Sequence, residues 1–341
     1  MSQSTSGNKR QRINSDATRP ENDVPNPIKQ DDEFWFEDGN IVLIARDVEF
    51  RVYKGILAKH SPVFADMFSL PLVPAQVHTV SARDVTPTAE TCSVVHLCES
   101  PEDLRHVLRM CMSDTSLSSS PLSTGTPSFH MISAVIRIAH KYEMAEMLAQ
   151  AVKFLKQRYP TSFRAYEKLP VTARVQMNPI GVVNLARLID EPSLLPTALL
   201  DCCLLDSSEL LRGFKHEDGS VETLTQEDLL RCLNAREELA KYTLIIVTSV
   251  FLPSVSDACA NPTDCAEVLM DMLEDVRGHG DYLARPELAT TFLTPFQNTC
   301  IPRCCSSCQK MLRVRDRDER YEVWNELPEM MNVASSVKCW E

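Results

Sequence analysis

The chain has 341 residues, 44% of them hydrophobic, and a formal net charge of -12. That composition supports real cores and excludes a chain disordered throughout, and the length accommodates two domains of ordinary size. The acidic balance argues against a general affinity for nucleic-acid phosphates. No apolar run is long enough to cross a bilayer; the longest, residues 244–252, is short and is broken by Thr248 and Ser249.

Residues 1–32 are polar and poor in large apolar side chains, which predicts a disordered tail. Lys9, Arg10 and Arg12 form a short basic cluster there, readable as a nuclear signal or as ordinary solvated charge. The start Met-Ser-Gln-Ser-Thr-Ser lacks the apolar stretch of a secretory signal, and no Asn-x-Ser/Thr acceptor (x not Pro) occurs. An intracellular protein, cytoplasmic or nuclear, is therefore expected. Its 13 cysteines are then reduced thiols or metal ligands, not disulfides.

Order is predicted to begin at Glu33, with Phe34, Trp35 and Phe36 as the first large apolar cluster. Ile41–Ala45 is apolar and β-branched and suits a buried strand. Arg46, Asp47 and Val48 make a turn. Phe50 and Val52 then alternate with Glu49, Arg51 and Tyr53 as the second strand of a hairpin. Ile56 and Leu57 fall in a first helix. Ser61 sits at an N-cap with Pro62 at the first helical position, and Val63, Phe64, Met67 and Phe68 supply one apolar face. Residues 94–98 read as another strand. Ser100-Pro101-Glu102-Asp103 starts a helix whose buried stripe is Leu104, Val107, Leu108 and Cys111. Residues 113–128, rich in Ser, Thr, Pro and Gly, read as a loop. Two further helices are marked by Ile132, Val135, Ile136 and Ala139, and by Leu148, Ala151, Val152 and Leu155.

Beyond Pro160 the pattern is mainly helical. Residues 182–189 and 194–205 are apolar stretches bounded by prolines, and a longer helix runs over 226–242. The β-branched stretch 243–252 is expected to continue that helix as a buried segment. Residues 313–327 read as a surface helix with Tyr321, Trp324 and Leu327 inward and a solvated charged face carrying pairs such as Asp316 to Arg320. No internal repeat is present, which argues against solenoids and propellers.

The stretch from Phe50 to Phe68, together with the order hairpin, two helices, strand, helix, loop, two helices, closely resembles the BTB/POZ domain, a protein–protein interaction module. Phe50, Val52, Lys54, Leu57, Ser61, Phe64, Met67 and Phe68 carry the likeness, joined by Ala139, Tyr142 and Leu148. The fold expected is an α+β BTB/POZ-like domain at 33–160, a small sheet with helices, followed by a mainly α-helical C-terminal domain at 161–341. Residues 304–327 are similar to the C-terminal region of BTB-domain proteins numerous in basidiomycete fungi, where a Cys-rich turn precedes a charged helix ending near Trp and Leu-Pro, here Trp324 and Leu327-Pro328.

The resemblance implies a homodimer or other protein partner, with a cullin scaffold as one candidate and transcriptional regulation as another. Three departures stand out. Many BTB dimers pair an acid at the position of Asn40 with a base near Lys54, and Asn40 is neutral. No apolar-x-Glu motif of cullin-docking type follows the helix at 101–112. Residues 69–93 are longer and more polar than a tight helix-to-strand link needs, which suggests a flexible excursion. The expected interface set is Phe34, Trp35, Phe36, Asn40, Lys54, Phe64 and Met67. The three adjacent aromatics lead it because a strand cannot turn all of them inward. Phe64, Met67 and Phe68 read more readily as ordinary core, since apolar residues at helical spacing usually pack inside.

Cysteine carries the metal chemistry. Cys305 and Cys308 have the C-x-x-C spacing that brings two thiolates to one zinc, and Cys259 and Cys265 form a looser upstream pair. Cys300 and Cys304 are alternative ligands, and the competing reading is that all are buried reduced thiols. Cys92, Cys98, Cys111, Cys202, Cys203 and Cys232 lie in apolar surroundings and are expected in the core. The histidines, including His60 and His140, lack metal-site spacing. Gly278-His279-Gly280 reads as a turn, not a dinucleotide loop. No P-loop, nucleophile elbow or catalytic carboxylate pair is present, so no enzyme is expected and no cofactor beyond a structural zinc.

Overall fold

The structure, a computed structural model, describes residues 28–70, 92–112, 127–170, 176–280 and 288–341. The basic cluster at 9–12, most of the predicted tail, most of the 69–93 excursion and residues 113–126 of the predicted loop lie outside the described residues.

The N-terminal half is built on a four-stranded sheet of order β1-β3-β2-β4, from β1 (Lys29–Trp35), β2 (Ile41–Ala45), β3 (Val48–Val52) and β4 (Ser93–Leu97). Strands β2 and β3 form the expected antiparallel hairpin, Leu43 facing Phe50. Every side chain of β2 is buried, as a central strand flanked on both edges and covered on both faces requires. Strand β1 is a correction, because it begins inside the segment read as tail. Its sequence, Lys-Gln-Asp-Asp-Glu-Phe-Trp, carries little strand signal, yet it pairs parallel to β3 at the sheet edge. Charge holds it there. Asp31 is buried, caps the Glu33 and Phe34 amides and meets Arg105 at 2.7 Å; Glu33 meets Arg109 at 2.8 Å.

Helices α1 (Lys54–His60) and α2 (Pro62–Ser69) follow the sheet, then α3 (Pro101–Met112) after β4, then α4 (Phe129–Lys141) and α5 (Ala145–Arg158). Buried Ser61 joins two of these elements. Its hydroxyl oxygen accepts from the Phe64 amide at 3.0 Å and its O–H donates to the Tyr142 carbonyl at 2.5 Å. Phe64 stacks on Tyr142 with ring centres 4.5 Å apart.

The C-terminal half is mostly helical: α6 (Phe163–Glu167), α7 (Pro179–Leu188), α8 (Leu195–Leu204), α9 (Ser207–Arg212), α10 (Gln226–Val250), α11 (Pro262–Asp275) and α12 (Ser306–Met330). Helix α8 is apolar on nearly every side and is accordingly buried, packed against α7, α10 and α12. The β-branched end of α10 stays helical as expected, but it is not buried throughout. Ile246, Val247 and Val250 face the core, whereas Leu244, Ile245 and Leu252 are exposed. The buried residues form one continuous cluster running from Phe34 to Val333, so the two halves share a core.

Helices α4 and α7 make one of the closest contacts between the halves. A Cβ added at Gly181 of α7 would lie 2.2 Å from the buried Phe129 ring of α4. Gly181→Val should therefore cost about 1–3 kcal/mol through overpacking, despite valine's better helix propensity. Urea unfolding that leaves the midpoint unchanged would show that the ring yields freely.

Candidate functional site

Two regions gather the functional candidates. The first is the outer edge of the N-terminal half. Phe34 is 3% exposed and Phe64 2%, so both belong to the chain's own core and not to a partner surface. The reason is geometric: the register shift of β1 against β3 between Gln30 and Trp35 lets the strand bury both Asp31 and Phe34, and the Ser61 cap aims Phe64 at Tyr142. Trp35, Phe36 and Met67 are half-buried, and Phe36 stacks on Tyr53 at 5.2 Å. Asn40 is exposed and its side-chain oxygen accepts from the Lys54 backbone N–H at 2.8 Å; the Lys54 ammonium donates to Ser93 Oγ at 3.2 Å. The neutral amide thus serves as a local acceptor at the start of α1.

The second region is a candidate metal centre, and its geometry follows from two helix starts. Cys305 is the N-cap of α12 and Cys308 lies in its first turn, so the C-x-x-C spacing places both side chains at the helix entrance. Cys265 lies at the start of α11, behind Asn261 and Pro262, and Cys259 sits in the turn before it. The sulfurs of Cys259, Cys265, Cys305 and Cys308 all lie within 4.8 Å of one another, at residues 40 or more apart across the two pairs. Cys265 and Cys308 are buried; Cys259 and Cys305 are half-buried. Backbone N–H groups address the sulfurs: Cys305 donates to Cys265 Sγ at 3.3 Å and Ser256 to Cys308 Sγ at 3.5 Å.

The thiols differ in acidity for stated reasons. Cys305 makes no full capping bond, but the nearby amides of Cys308 and Ala260, with help from the neighbouring thiols, bring it down to about 6. Loss of water raises Cys259 to about 12. The alternative ligands fall outside this cluster. Cys304 is buried and burial raises its thiol to about 11; Cys300 is half-buried. Among the six cysteines expected in the core, Cys111, Cys202, Cys203 and Cys232 are buried, but Cys98 is exposed and Cys92 is half-buried. Both flank the ends of β4, which among the described residues has no neighbouring strand on one side.

One feature has little signal in the sequence, and another differs from its sequence pattern in burial. A small hairpin, β5 (Phe214–Lys215) with β6 (Val221–Glu222), reaches from the C-terminal half onto the N-terminal half. Its acids pair with Arg46, His106 and Arg137: Asp218–Arg46 at 2.6 Å, Glu217–His106 at 2.8 Å, Glu222–Arg137 at 2.5 Å. Asp218-Gly219, with Gly219 at φ +84°, was the available turn signal. The other feature is the Asp316–Arg320 pair. The predicted partnership exists, but the pair is buried, not solvated. Residues 288–296 fold over it: Asp316 accepts from the Phe292 amide at 2.7 Å, and Arg320 donates to the Leu288 carbonyl at 2.7 Å and to Glu167 at 3.0 Å. Of the inward residues expected on α12, Trp324 and Leu327 are buried and Tyr321 is mostly outward, 41% exposed.

Residues 36–159 match the family model of the BTB/POZ domain. The chain therefore carries a BTB/POZ domain at its N-terminal end, a small sheet with helices, followed by a mostly helical region. No curated protein matches the chain.

Proposed function

We propose that the chain is a non-enzymatic protein-interaction protein, in which the BTB/POZ domain self-associates and the helical half holds a further partner. The observation that carries this reading is the domain itself, which is an interaction module and spans 36–159. The exposed apolar residues Leu244 and Ile245 on α10, with Leu252 just beyond its end, support a second contact surface, since exposed apolar side chains close together in the chain can mark interaction sites. We also propose a structural metal ion at the four-cysteine cluster, a cytoplasmic or nuclear setting, and kinship with the BTB-domain proteins of basidiomycete fungi; the resemblance of the C-terminal region supports the last. Among the described residues no helix is long and apolar enough to cross a membrane.

The test is the oligomeric state of the full chain by light scattering. A homodimer that Trp35→Asp converts to monomer is expected, because Trp35 is half-buried in the free chain. A monomeric wild type in dilute solution would end the self-association reading, since large apolar interfaces make such dimers obligate. A cullin-ligase adaptor is the second reading, and the resemblance supports it. Pull-down of the cullin scaffold by wild type, lost in Met67→Asp, would favour it. Phe64→Asp is unsuitable as a control because a charge at that buried site unfolds the domain.

A further inference from the structure

We infer that Cys259, Cys265, Cys305 and Cys308 bind one zinc ion as four thiolates, and that the ion fastens the start of α12 to the start of α11. This deepens the metal reading above and stands independently of the interaction role.

The geometry is close to what the ion needs. A tetrahedral zinc with Zn–S bonds of about 2.3 Å sets its sulfurs about 3.8 Å apart. The Cys259 and Cys305 sulfurs are 3.7 Å apart, and no pair in the cluster exceeds 4.8 Å. A contraction of about 1 Å at most, within reach of side-chain rotation, completes the site. All thirteen cysteines are free, so no disulfide competes for these sulfurs.

The surroundings suit a tetrathiolate. Zinc with four thiolates carries a net charge of about -2, which needs compensation where water is scarce. Amide donors to Cys265 and Cys308 supply part of it. The N-terminal ends of α11 and α12, helices of 14 and 25 residues, supply more through their dipoles. Four protein sulfurs leave no open position, so the site is structural and not catalytic. Loading releases up to four protons, one from each thiol that was protonated.

The fold also explains why an ion is useful here. Among the described residues between Val250 and Ser306 the regular structure is α11 and three short turns, Val276–His279, Thr294–Phe296 and Ile301–Arg303. An ion bridging Cys265 and Cys305 closes that segment at both ends and removes loop entropy from the unfolded chain.

The experiment is metal analysis of the full chain, purified without chelators, beside Cys305→Ser/Cys308→Ser and the control Cys300→Ser. Wild type and control should carry about one zinc per chain and the double variant about none. Hydrogen exchange covers the case in which the variant folds poorly. Zinc stripped from wild type by a chelator should cost protection at 256–275 and 301–312 and spare 101–112 and 129–158, and added zinc should restore it. Metal-free wild type with protected amides at 256–275 and 301–312, iron in place of zinc, or zinc retained by the double variant would each overturn the assignment.

Discussion

Arg320→Leu should destabilise the protein by about 3–5 kcal/mol at neutral pH, measured by urea unfolding, because it strands a buried carboxylate. Asp316 is 1% exposed and Arg320 is 3% exposed, so water cannot take the place of the lost partner. The guanidinium also holds the Leu288 carbonyl and Glu167, which ties α6 and residues 288–296 to α12. Burial already raises the Asp316 carboxyl above its usual 3.8, outweighing the opposing pull of Arg320. Removing Arg320 raises it further. A carboxyl whose folded value lies above its unfolded one favours the fold when protonated, and that contribution is lost as pH rises through the window between the two values. The variant's deficit should therefore be largest at neutral pH and shrink as acid neutralises Asp316. Adding Asp316→Asn should recover part of the loss, so the two substitutions are not additive. A pH-independent loss below about 1 kcal/mol would mean that the pair is solvated after all.

Trp324→Ala should cost a similar amount, about 3–5 kcal/mol, as the largest fully buried side chain is replaced by a cavity. Its ring lies 4.5 Å from Trp340, 4.8 Å from Tyr166 and 5.8 Å from Phe163, and its indole N–H donates to the Glu341 carbonyl at 2.7 Å. That same carbonyl accepts from the Phe163 amide at 3.1 Å, while the Glu341 amide donates to Thr161 at 2.9 Å. The substitution thus loosens a clasp between residues 340–341 and the junction of α5 and α6. Hydrogen exchange should show the Phe163 amide losing protection before the sheet does. Trp340→Ala, at a half-buried site, should cost less. Equal losses in both variants would indicate that the clasp, and not the cavity, dominates.

The two effects bear on function through the same seam. Helix α12 carries Cys305 and Cys308 at its start, Asp316 and Arg320 in its middle and Trp324 toward its end. One helix therefore contributes to the four-cysteine cluster, the buried ion network and the clasp. Loss of the network should loosen the four-cysteine cluster by local unfolding without touching the sheet of the BTB/POZ domain.

The sequence by itself determined the elements whose signals are local. The β2–β3 hairpin, the Ser61 cap, the Ser100-Pro101 start of α3 and the apolar stripes of α4, α5, α7 and α8 all follow from neighbours a few residues apart. The C-x-x-C spacing at 305 and 308 belongs with these, since one helical turn fixes it. Tertiary structure alone decided the rest. Strand β1 is polar because it lies on a sheet edge, and only Arg105 and Arg109, more than seventy residues away, make its acids tolerable there. Phe34, Trp35 and Phe36 look alike in sequence, and the pairing of β1 chose which of them is buried. Cys259 and Cys265 join Cys305 and Cys308, and Cys300 and Cys304 do not, because the packing of α11 on the turns before α12 selects the sulfurs. Asp316 and Arg320 read as a solvated helix face, since a helical pattern records charge spacing but not the loop that later covers it.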